Sequence, residues 1–109
     1  MSRLNWSNIV VPIFLLLGPV AGWGKCVISG RVTTPDRLPV DGAIVRLLDG
    51  KTTLAYTVST DQGVYSLTAE TGSAKTIRLM AEALGYATSC DTIPAVTATR
   101  DIILAPQQL

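Results

Sequence analysis

From Cys26 onward the chain alternates: apolar residues recur at every second position in short runs, and turn formers end each run. A period of two places successive side chains on opposite faces of an extended strand, whereas a helix needs a period near 3.6. In "CVISGRVT" Ile28 and Val32 share one side, with Ser29, Arg31 and Thr33 opposite. "GAIVRLLDG" aligns Ala43, Val45 and Leu47. "TLAYTVST" alternates Leu54, Tyr56 and Val58 against Ala55, Thr57 and Ser59. "GVYSLTA" aligns Tyr65 with Leu67, and "TIRLMAEA" aligns Ile77, Leu79 and Ala81. "GYATSC" reads as a short strand ending at Cys90, and "TRDIILAP" closes the series with Ile102 and Leu104 on one face. Seven short strands separated by turns predict an all-β, seven-stranded Greek-key β-sandwich. "TIRLMAEALG" is ambiguous, because Leu, Met, Ala and Glu are good helix formers. Its alternation and its neighbours favour a strand.

The separators agree with this reading. "TPDRLPVDG" carries two prolines and cannot continue a central strand. Asp49-Gly50-Lys51 is a hairpin signal, since glycine takes positive φ without a Cβ clash. Asp61 and Gly63 in "TDQGVYSL" form a second tight turn, and "ETGSAK" and "DTIPAVTA" are the remaining loops.

The first residues differ from the rest. "MSRLNWSN" brings the amino terminus and Arg3 without an acid, "IVVPIFLLL" is apolar, and "GPVAGWG" supplies small residues. That order is the pattern of a secretory signal peptide. A spanning helix needs about 20 apolar residues, and this run is shorter and is broken by Pro12, Gly18 and Pro19. Residues 1–22 are therefore expected to be a signal-peptide helix cleaved after Gly22, with Ala21 and Gly24 as neighbouring alternatives. Residues 23–109 are then one exported domain, secreted or periplasmic, with no stable membrane span after cleavage.

Without Arg3, the remaining basic residues (Lys25, Arg31, Arg37, Arg46, Lys51, Lys75, Arg78 and Arg100) balance eight acidic ones. A neutral chain of scattered signs carries no electrostatic footprint for nucleic acid. The two cysteines, Cys26 and Cys90, lie in the exported part, where thiols oxidise. The expectation is a disulfide between them, closing a loop that would stabilise by about 4 kcal/mol. Two free buried thiols, or pairing between molecules, are the alternatives.

Chemistry is constrained by what the chain omits. It contains no histidine, which removes imidazole general bases, histidine triads and ordinary zinc sites. Asp36, Asp41, Asp49, Asp61 and Asp91 are loop carboxylates without the spacing of a twelve-residue calcium loop. Single loop aspartates are turn formers, their side chains capping nearby N–H groups. Trp23, Tyr56, Tyr65 and Tyr86 could form a sugar platform, but the tyrosines fall at core-phase or strand-start positions, where packing is their ordinary fate. No catalytic residue, cofactor or metal is expected.

"GRVTTPDRLPVDGAIVRL", "TDQGVYSL", "LGY" and "RDIILAP" together resemble the carboxypeptidase regulatory-like domain of the transthyretin-like, or prealbumin-like, superfamily. The matching positions are Gly30 and Val32; Gly42, Ala43, Val45 and Leu47; Asp61, Gly63, Tyr65 and Leu67; Gly85 and Tyr86; and Ile102 and Leu104. The resemblance implies a sandwich whose shared residues are structural. Hydroxyisourate hydrolases on similar sandwiches use histidines and a terminal Tyr-Arg-Gly-Ser, and this chain has neither. Residues 23–109 contain no asparagine, so the Lys–Asn isopeptide of adhesin stalk domains is absent too. The expected function is a non-catalytic structural or protein-interaction module with an extracytoplasmic protein partner. The alternative is a transthyretin-like binder of a small ligand or carbohydrate.

Overall fold

The computed structural model describes residues 24–107, so the expected signal peptide lies outside the described residues. Eight strands follow one another: β1 Gly24–Thr33, β2 Ile44–Asp49, β3 Thr52–Val58, β4 Val64–Gly72, β5 Thr76–Glu82, β6 Ser89–Pro94, β7 Ala98–Thr99 and β8 Ile102–Ile103. There is no helix among the described residues. The strands form two sheets, β4-β1-β7 with β8 also on β1, and β3-β2-β5-β6.

Alternation builds the core between them. Register partners Ile28 and Leu67 point inward from one sheet, and the pairs Val45–Ala81 and Leu47–Leu79 from the other. All six are buried. Burying side chains such as these leucines, valine and isoleucine stabilises by about 1.5–3 kcal/mol each. β5 contains good helix formers, yet it pairs along its length with β2 on one side and β6 on the other. Two ladders and a buried Ile77–Leu79–Ala81 face outweigh a propensity difference of at most about 0.7 kcal/mol per residue.

Three expectations are corrected. The short strand predicted over Gly85–Cys90 instead starts at Ser89 and runs through the stretch read as a loop. Ile93 is buried opposite Ile77, and Pro94 is tolerated as the last residue of an edge strand. The terminal strand predicted over Thr99–Pro106 is broken into β7 and β8, which pair in parallel with successive parts of β1. Tyr56 was placed in core phase but is 70% exposed. A register shift between Leu47 and Leu48 makes Leu54 the extra residue of a β-bulge. Beyond it, Ala55 and Thr57 oppose the inward Leu47 and Val45, so Tyr56 and Val58 face outward.

The break between β7 and β8 sits over Gly30. A Cβ there would collide with the carbonyl of Arg100, whose own N–H donates to the Ser29 carbonyl at 2.7 Å. Asp101 then accepts from the Arg31 N–H through Oδ1 at 3.0 Å. Gly30 is thus the point at which the last strand crosses the central one. Replacing it by Ala forces backbone apart, and Gly30→Ala should destabilise by about 2 kcal/mol. Urea unfolding that gives the same midpoint for both proteins would refute this contact.

Candidate functional site

Edges β3 and β4 pack against each other and so lie on the same side of the sandwich. β6 and the β7–β8 pair form the opposite side, where a cleft of about 350 Å3 opens between the sheets. Asp91, Thr92, Thr99, Arg100 and Asp101 line that cleft, with Arg100 Nε buried and without a hydrogen-bond partner. Among the described residues no three histidine, cysteine or acidic side chains converge.

The β3 side is different in kind. β3 reads Thr-Thr-Leu-Ala-Tyr-Thr-Val and β4 reads Val-Tyr-Ser-Leu-Thr-Ala-Glu-Thr-Gly, so Glu70 is the one charge on the two edges and neither has a proline. Soluble proteins commonly guard open edges with lysine, proline, bulges or short strands. Here β3 and β4 each carry one bulge residue, Leu54 and Thr71, while charge, proline and short strands stand on the far side: Asp91 and Pro94 on β6, and two-residue strands around Arg100 and Asp101. The outer face beside β3 carries several exposed apolar side chains. Val58 and Ile44 are register partners and both exposed, Tyr56 lies next to them, and Leu84 is fully exposed. Ile44, Leu84 and Tyr86 help line a shallow groove of about 460 Å3. Within this face Arg46 and Glu82 neutralise each other, Nη2 to Oε2 at 3.1 Å.

The sequence-derived residues fall as follows. Gly63 takes φ +77 and its N–H donates to the Thr60 carbonyl at 2.8 Å, closing the turn that holds Asp61. The cap comes from Thr60, whose Oγ1 accepts from the N–H groups of Gln62 and Val64, both at 3.2 Å. Gly63 also approaches β1 closely: a Cβ would lie 2.5 Å from the Val32 carbonyl oxygen. Asp49 ends β2, and Gly50 opens the hairpin turn, its carbonyl accepting from Arg78 Nη2 at 2.7 Å. Both turns are scaffold.

The expected Cys26–Cys90 disulfide is not formed, and both cysteines are free. Pleat phase explains why. Cys26 is buried on the inner face of β1, and its burial pushes the thiol pKa up. Cys90 is exposed opposite Met80, one position out of phase with the inward Ile77–Ile93 pair. The two point to opposite sides of the second sheet.

Two polar side chains make structural hydrogen bonds that alternation alone does not show. Ser59 is buried, its Oγ accepting from the Ala43 N–H at 2.9 Å and donating to the Val40 carbonyl at 2.7 Å. Its signal was its place in phase with Ala55 and Thr57. Tyr65 was read as core, but its hydroxyl also donates to the Arg100 carbonyl, joining β4 to the crossing above Gly30. Burial raises its pKa to about 12, Asp101 adding to the shift and Arg100 opposing it.

With this geometry the class is defined: a two-sheet β-sandwich of transthyretin-like fold. The chain belongs to the family described as "Protein of unknown function (DUF1416)", whose model matches residues 19–101. No curated protein matches the sequence. Solved structures share the fold at low identity. Hydroxyquinol 1,2-dioxygenase from Pseudomonas putida superposes with a TM-score of 0.61 at 12% identity, over 88% of this chain and 64% of that one. The shaft pilin SpaA from Lactobacillus rhamnosus gives 0.60 at 12%, over 79% and 49%. The 5-hydroxyisourate hydrolase from Klebsiella pneumoniae gives 0.56 at 18%, over 74% and 85%. The chain thus spans under two thirds of the first two. Names this diverse mean that the shared fold selects no activity.

Tyr65 supplies a pH test. Its hydroxyl ionises near 10 when free and near 12 when folded, so the folded state holds the proton more tightly. Its contribution is complete below pH 10 and is lost as pH rises through 12. Tyr65→Phe should cost about 1 kcal/mol at neutral pH and flatten stability over that alkaline window. Parallel alkaline unfolding curves for the two proteins would contradict the assignment.

Proposed function

We propose that the chain is a non-catalytic, exported β-sandwich module of the carboxypeptidase regulatory-like kind, with prealbumin-like Greek-key topology. It acts as a structural or protein-interaction element for an extracytoplasmic protein partner. The observation that carries this reading is the β3–β4 side, with one charge and no proline in its strands and exposed apolar residues beside it. An open edge offers unpaired N–H and C=O groups, and main-chain pairing with an incoming strand supplies affinity while flanking side chains supply selectivity. Tyr56 and Val58, exposed on the edge strand itself, lie where those flanking contacts would form.

The absence of histidine leaves the usual nucleophile–base pairs without their imidazole; of the two free thiols Cys26 is buried and Cys90 is exposed. The cleft on the far side is lined by Asp91, Arg100 and Asp101, a mixed charge set. Export rests on the leader-like residues 1–22.

A photo-reactive phenylalanine analogue at position 56, in the protein expressed in its own cells, tests the reading. Cross-linked protein adducts at position 56, absent from a control at position 91, are the expected result. No protein adduct at 56, together with a small molecule co-purifying with the folded chain, would favour the ligand carrier instead.

A further inference from the structure

β3 makes the interaction surface specific, because its register is self-complementary. Ser59 donates its N–H to the Ala43 carbonyl at 2.9 Å, toward β2. Antiparallel ladders alternate hydrogen-bonded and non-hydrogen-bonded pairs. Thr57 and Ala55 therefore also turn their main-chain groups toward β2, while Tyr56 and Val58 turn theirs to the open edge. Leu54 is the bulge residue, so regular pairing is available from Ala55 to Ser59.

We propose that β3 pairs antiparallel with β3 of a second copy of this chain, about a two-fold axis through Thr57. This rests on the interaction-module reading and names its partner. Centring on Thr57 sets Tyr56 opposite Val58 of the partner copy and Val58 opposite its Tyr56. Those two pairs use the outward main-chain groups. Thr57 meets Thr57 at the axis as a non-hydrogen-bonded pair, and Ala55 meets Ser59. Aromatic with β-branched, and threonine with threonine, are favourable cross-strand pairs.

No charge lies within β3, so the two-fold brings no like charges together there, and the nearby Arg46–Glu82 pair is internally neutral. The opposite side could not serve equally. Self-pairing of β6 would bring Asp91 carboxylates close together and would meet Pro94 in the strand. A C2 interface needs one self-complementary patch, and β3 provides it.

Sedimentation velocity on the exported domain, carried in a Cys90→Ser background across about 1–200 µM, tests this. A dimer is expected. Tyr56→Lys combined with Val58→Lys places lysines opposite one another, and should weaken self-association about tenfold or more while the circular dichroism spectrum is kept. Asp91→Lys on β6 should leave it unchanged. Thr57→Cys should give a covalent dimer under air that dithiothreitol reverses, since Cα atoms of a non-hydrogen-bonded pair lie about 4.5 Å apart, within disulfide reach. A wild-type monomer over the whole range, or a dimer indifferent to the two lysines, overturns the proposal. If the wild type stays monomeric while position 56 cross-links to a different protein, the second copy is excluded and the interaction module survives. If neither dimer nor adduct forms, both readings fall.

Discussion

The crossing of Arg100 over Gly30, fastened by the Tyr65 hydroxyl, decides how the first sheet closes. β7 and β8 are two residues each and could not hold an edge by their own ladders. They stay because the Arg100 backbone lies against a residue without a Cβ, bonds to Ser29, and accepts the hydroxyl from β4 on the far flank of β1. One buried phenol thus spans three strands of a four-stranded sheet. A hydrogen bond of this kind is worth about 1 kcal/mol net, but losing it would also leave a carbonyl without its partner.

That fastening creates the asymmetry on which the functional reading depends. The β6–β8 side is short-stranded and charged, so its main-chain groups make poor templates. The other side ends in strands of seven and nine residues with a single carboxylate between them. An isolated monomer would carry that bare edge as an aggregation hazard. The proposed pairing would convert the same feature into an interface, with the exposed Tyr56 and Val58 along it.

Much of the scaffold was legible because alternation is a local signal. The inward residues of β1, β2, β4 and β5 follow from period two alone, and Gly63 from turn chemistry. Phase failed where a nonlocal event intervened: the bulge at Leu54 turned Tyr56 outward, and nothing in "TLAYTVST" marks a bulge. β6 was misplaced because Ile93 is followed by a proline, and only the free edge of β5 explains why the strand continues to it. The cysteine pairing failed for the same reason: without the register of β6, the side toward which Cys90 points cannot be derived. Which strands form the edges was beyond reach, since strand order is a property of the sandwich and not of any segment.

The most direct test is amide hydrogen exchange by NMR on a dilute solution of residues 23–109. An open β3 edge predicts that Tyr56 and Val58 exchange nearly as fast as unstructured peptide. Ala55 and Thr57, donating toward β2, should be protected in the same strand, and raising the concentration should bring Tyr56 and Val58 under protection too. Equal, concentration-independent protection at all four amides would mean that the edge is already covered, and would contradict the account.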